Sequence, residues 1–123
     1  MSANTNIILF NKKLMGFADD LLLICPDMPE IVLFKTTLSV CIPMTPNLPQ
    51  QVFHSTVTQK YSDSIISKNE AVLLNESYDD LTNDLDIIEK IKHIWKTLSD
   101  DNKNAVWQHL QVLLVLSNRV QNT

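Results

Sequence analysis

The segment LDIIEKIKHIWKTLSDDNKNAVWQHLQVLLVLSNRV, residues 85–120, decides the fold class. Its apolar residues Leu85, Ile88, Ile91, Trp95 and Leu98 recur at steps of three and four, the spacing that puts side chains on one helix face. Ser99 then offers an N-cap, and Val106, Leu110, Leu113 and Val120 mark the main stripe of a second long helix. Trp107, Leu114, Val115 and Leu116 widen that stripe beyond a two-residue seam, as expected of a central core helix. The connection around Ser99 to Asn102 suits only helices that fold back on each other, so Trp95 and Trp107 are expected near the closed end of a C-terminal hairpin.

Upstream of the hairpin, residues 75–84 carry several acids and no dense apolar pattern, and they read as an acidic surface linker with Tyr78 and Leu81 as anchors. Before it, Ser67-Lys68-Asn69-Glu70 has capping spacing ahead of a short helical turn from Ala71 to Leu74. A middle helix is expected with Asn47 and Gln50 as caps, Pro49 in its first turn, and Phe53, Val57, Tyr61 and Ser64 or Ile65 on its buried side. Pro43, Pro46 and Pro49 make residues 43–49 a proline-rich loop and should stop the preceding helix near Ile42. That helix shows Ile31, Phe34, Leu38 and Cys41 in register, with Asp27 and Glu30 as a capping box. The first helix carries Ile7, Phe10, Leu14, Phe17, Leu21 and Ile24 on one stripe and ends before Pro26. The expectation is one all-α domain over residues 1–123, a bundle of five or six helices closed by the C-terminal hairpin.

Composition narrows the function. The 123-residue chain has one glycine, Gly16, so glycine-rich phosphate loops and dinucleotide turns are nearly excluded. Its 10 basic residues, nine Lys and Arg119, face 14 acidic ones, which disfavours a nucleic-acid partner. Cys25 and Cys41 lie in apolar runs and read as two buried free thiols in a reducing compartment. No basic segment followed by an apolar core opens the chain, and no apolar run approaches the roughly 18 residues of a membrane span. A soluble, intracellular protein is expected.

No chemistry-bearing motif stands out. His54, His93 and His109 form no zinc spacing with the cysteines, and Glu89 with His93 lacks the repeated Glu-x-x-His of di-iron bundles. That pair reads as a solvated surface contact. Asp79, Asp80, Asn83, Asp84 and Asp86 lack the alternation and central glycine of a calcium loop. Asp19-Asp20 interrupts the first helix and reads as mainly solvated, one acid facing water and the other meeting a rim or a partner. Asn75-Glu76-Ser77 matches a glycosylation pattern that, without a secretory signal, has no use. No catalytic residue, cofactor or metal is expected.

Lys90, Lys92, Lys96 and Lys103 form the one local basic concentration, near the bend of the hairpin. Lys92, Lys96, Lys103 and Trp107 are accordingly the candidate partner-binding residues. The plainer reading is an ordinary charged exterior for the lysines and a core position for Trp107.

Ile88, Lys90-Ile91-Lys92, Ile94-Trp95, Leu98-Ser99, Asn102-Lys103, Trp107, Leu110-Gln111 and Leu113 together resemble a C-terminal pattern in small uncharacterised helical proteins of nucleocytoplasmic large DNA viruses, the giant viruses. Phe17, Asp20-Leu21, Pro26-Asp27, Ile31, Phe34-Lys35, Tyr61, Ile65 and Lys68-Asn69-Glu70 resemble their N-terminal half. The resemblance implies no reaction, cofactor or catalytic residue. It implies a setting: the cytoplasm of an infected host cell, the viral factory, or the virion.

The function expected is therefore a non-enzymatic protein-protein interaction module that presents a helix face or the acidic linker to a protein partner. Two alternatives are a small-molecule or lipid binder with a cavity lined by Phe10, Phe17, Phe34, Phe53 and the tryptophans, and a self-associating virion component with an exposed apolar stripe.

Overall fold

A computed structural model describes residues 3–74 and 85–122, with side chains from Thr5 onward. The chain is an all-α bundle: α1 (Ala3–Ile24), α2 (Pro29–Met44), α3 (Leu48–Phe53), a π turn (His54–Thr58), α4 (Gln59–Ile66), α5 (Ala71–Leu74), α6 (Ile87–Ile94), a 3-10 turn (Trp95–Thr97) and α7 (Asp100–Gln121). With α3, the π turn and α4 taken as one rod, six helices stand among the described residues. The expected acidic linker, with Tyr78 and Leu81, lies outside the described residues.

The predicted stripes form the core. Ile7, Phe10, Leu14, Phe17 and Leu21 of α1, Ile31, Phe34 and Leu38 of α2, and Val106, Leu110 and Leu113 of α7 are all buried. Antiparallel α1 and α7 form the principal helix pair, and α2 packs on the other flank of α1. Phe10 meets Phe53 edge-on at 5.3 Å, and Trp95 meets Trp107 edge-on at 5.1 Å, which closes the hairpin where its spacing required. The aromatics proposed as a cavity lining are thus packed into the core.

Local chemistry sets the helix ends, and two expected caps are not used. α2 starts at Pro29, whose fixed φ suits a first helical position, and its N-cap Met28 makes no side-chain bond, so Asp27 and Glu30 do not form a capping box. Asn47 precedes α3 without a side-chain cap. Ser99 does cap α7, accepting from the Asn102 N–H at 3.2 Å.

The proline-rich loop is shorter than expected. α2 continues through Pro43 to Met44, because the proline forfeits only the bond to the Ser39 carbonyl and Thr45 N–H still closes on Cys41 O at 2.7 Å. The connection is Thr45 to Asn47.

Between α3 and α4 the π turn widens the rod and keeps Phe53, Val57 and Ile65 buried. It sets Thr58 beside Ser117 of α7, whose Oγ also accepts from Gln50 Nε2 at 3.0 Å. α4 ends in a Schellman motif without glycine: Lys68 takes φ 55°, while Lys68 N–H bonds Ile65 O at 3.2 Å and Asn69 N–H bonds Ser64 O at 2.8 Å. Asn69 Oδ1 then accepts from Ala71 N–H at the start of α5, where sequence spacing had pointed to Ser67.

Candidate interaction surface

The predicted lysine and tryptophan patch is divided: Lys92 and Trp107 are buried, while Lys103 is partly exposed and Lys96 exposed. On α6, every residue from Ile87 to Lys92 is buried, so the Lys92 side chain is only 4% exposed. Its Nζ lies 3.2 Å from Glu89 Oε1, donates to Tyr61 Oη at 3.4 Å, and sits 5.5 Å from the Tyr61 ring centroid. Burial works against the Lys92 charge, but the Tyr61 and Glu89 hydrogen bonds and the attraction of those partners outweigh it and hold its pKa above the ordinary lysine value. Trp107 is 4% exposed against Trp95. Both belong to the interior, Lys92 on the buried run of α6 and Trp107 against Trp95 from α7.

Of the other two, Lys103 lies 5.4 Å above the Trp95 ring and 3.8 Å from Glu70 Oε2, and Lys96 is exposed. Glu70 also accepts from Trp95 Nε1 at 3.1 Å, so Lys103 serves to close the hairpin end. Lys90 is buried too, so the solvated reading fails for Lys90 and Lys92, while Lys96 stays exposed. Glu89 does not face water with His93 either: Glu89 is buried with Lys92, and His93 reaches Glu30 of α2 at 3.7 Å. Asp86 caps α6 by accepting from Glu89 N–H, and burial raises its carboxyl pKa.

The acidic pair on α1 has two structural partners. Asp19 binds Lys35 of α2 at 2.7 Å, and Asp20 binds His109 Nε2 of α7 at 2.7 Å, while each acid keeps about half its surface in water. The His109 ring stacks on Phe17 at 4.6 Å, and its Nδ1 is buried with no hydrogen-bond partner among the described residues. An imidazole beside a carboxylate suggests a base, yet Nε2 is engaged by Asp20 and Nδ1 is enclosed. The clefts along this seam are lined by side chains such as Lys13, Gln108 and Val112, and no serine, threonine or cysteine is among their lining residues. The pair is a clasp between helices. Cys25 and Cys41 are free thiols, half-buried rather than fully buried, and burial raises the Cys25 pKa.

A different surface emerges on α2. From Ile31 to Met44 its only charged side chain is Lys35, held by Asp19. Ile31, Phe34 and Leu38 face inward, while Val32 (47%), Leu33 (46%), Val40 (56%) and Met44 (76%) are exposed with Thr36 between them. Among the described residues these four apolar side chains are left open to solvent, and apolar side chains lined up on one helix face are the mark of a contact surface. Beside it, Ile8, Met15, Ile42, Pro43 and Pro46 wall a groove of about 620 Å³ between α1 and α2, with Lys12 at its rim. Helical spacing in the sequence traces only the inner stripe of α2; the signal it passes over is the near absence of charge on the opposite face.

Compared with protein families, with curated proteins and with solved structures, the chain matches none. Among the described residues no helix is long and apolar enough to cross a membrane, and no cluster of three or more His, Cys, Asp or Glu is placed to hold a metal ion.

Proposed function

We propose that the protein is a non-enzymatic interaction module whose outer α2 face docks an apolar helix of a protein partner. One observation carries the reading: Val32, Leu33, Val40 and Met44 are exposed along a helix face without a charged side chain. A partner helix laid along Val32, Leu33, Val40 and Met44 would cover these exposed side chains, the mode by which amphipathic helices dock on apolar surfaces. The resemblance to giant-virus proteins supports an infected cell or a virion as the setting. The test compares the native chain with Val40→Glu, which places a charge at a solvent-facing position and so keeps the fold. A partner captured from producing cells, then purified, should bind the native chain directly and lose at least tenfold in affinity for the variant. Equal binding by the two would refute this use of α2.

A further inference from the structure

We infer that α1 carries a second, independent interface, by which two copies of the chain form an antiparallel dimer about a two-fold axis beside Gly16. This goes beyond the α2 reading and uses a different helix face. The outward stripe of α1 is Ile8, Lys12, Met15, Asp19 and Leu23, opposite the buried Phe10, Leu14, Phe17 and Leu21. Set against itself in reverse, the stripe is complementary. Ile8 meets the second copy's Leu23, Lys12 meets its Asp19, and Met15 meets its Gly16. Symmetry then makes each contact twice, as an isologous interface requires.

Three observations converge on this pairing. Leu23 is 81% exposed and Ile8 65%, about 22 Å apart along the helix, and the groove walled by Ile8 and Met15 would receive the second copy's Leu23. The charges between them are of opposite sign and placed to meet, since Lys12 is exposed at the groove rim and Asp19, though bound to Lys35, keeps 49% of its side chain in water. Gly16 is the third. It sits in the interior of a 22-residue helix, where glycine is unfavourable, and a Cβ built on it meets nothing within 4 Å. No packing among the described residues calls for this glycine, whereas a second helix crossing there at close range would.

The decisive experiment is sedimentation equilibrium on the full chain, on Lys12→Asp, on Asp19→Lys and on an equimolar mixture of the two. The native chain should sediment at twice its 14.0 kDa mass. Each variant alone faces like charges at both pairs and should raise the dissociation constant about tenfold or more. In the mixed dimer every pair is again Lys with Asp or its reverse, and the native affinity should return. Gly16→Leu, in open space, should keep native helicity by circular dichroism and be monomeric. A native chain monomeric at millimolar concentration would overturn the proposal. So would a dimer that Gly16→Leu leaves intact, or variants that do not complement on mixing. Because Val40 is outside this stripe, partner binding that survives loss of the dimer would leave the α2 reading standing, and the reverse result would separate the two equally well.

Discussion

His109 Nε2 on α7 lies 2.7 Å from Asp20 Oδ2 on α1, and the imidazole lies flat against Phe17 one turn earlier on the same helix as the acid. Burial first, and the Lys13 charge second, lower the His109 pKa below its ordinary 6.5, against the opposing pull of Asp20. The folded ring therefore keeps its neutral form, donating from Nε2 to Asp20, to lower pH than the ring of the unfolded chain, which takes up its proton around 6.5. The sign follows: the unfolded state binds more protons, so the stability tied to this group is complete above 6.5 and falls as pH drops through 6.5 toward the folded pKa. Urea midpoints measured from about pH 7.5 to 5.5 should show a decline that is reduced in His109→Gln. Parallel profiles for the two proteins would contradict this.

One hydroxyl caps the second helix of the hairpin. Ser99 Oγ accepts the Asn102 N–H, and it opens the helix that forms the largest contact with α1. Ser99→Ala should lower unfolding stability by about 1 kcal/mol, and Ser99→Gly by only a few tenths, as N-caps generally do. Denaturant titration of the three proteins checks the order; an alanine variant that costs less than the glycine variant would mean that the Ser99 hydroxyl does not hold the end of α7.

Lys68 is the described residue other than glycine that holds a left-handed backbone, with φ 55° at the end of α4. Its neighbours supply both Schellman hydrogen bonds, so the geometry is fixed while the residue is poorly matched to it. Lys68→Gly should raise stability by about 0.5 to 1 kcal/mol through relief of that strain, read as a higher thermal midpoint. Lys68→Val, β-branched at the same φ, should lower it.

Periodicity carries one part of this fold and leaves another out. Phe10, Phe17, Phe34 and Leu110 were legible because helical spacing reports an inward face directly. The continuation of α2 through Pro43 was not, because a proline in the last turn removes one hydrogen bond and a later N–H restores the ladder. The buried lysines of α6 were illegible for a different reason. Charge is a sound guide to exposure until a short helix is buried over most of its length, and then Lys92 must find Glu89 and Tyr61 instead of water. The outer face of α2 is hidden from periodicity because Val32, Leu33, Val40 and Met44 break its polar run, so the inner stripe stands out only weakly.

The Lys92–Glu89 pair supplies the largest mutational effect expected. Both side chains are nearly free of solvent, at 4% and 6% exposure, and Glu89 Oε2 already lacks a hydrogen-bond partner. Lys92→Met would remove the cation and leave a buried carboxylate whose remaining compensation is gone, a change that costs about 3 to 5 kcal/mol. Glu89→Met would likewise leave a buried ammonium with only the Tyr61 hydroxyl and ring. Replacing both removes two desolvated charges together and fills the same volume with apolar side chains, so the double variant should recover most of the loss. The coupling between the sites, measured as a double-mutant cycle in urea, should therefore approach the cost of either single change. Additive effects would mean that the two charges are stabilised separately, each by its own surroundings, and that their 3.2 Å contact contributes no pairing energy.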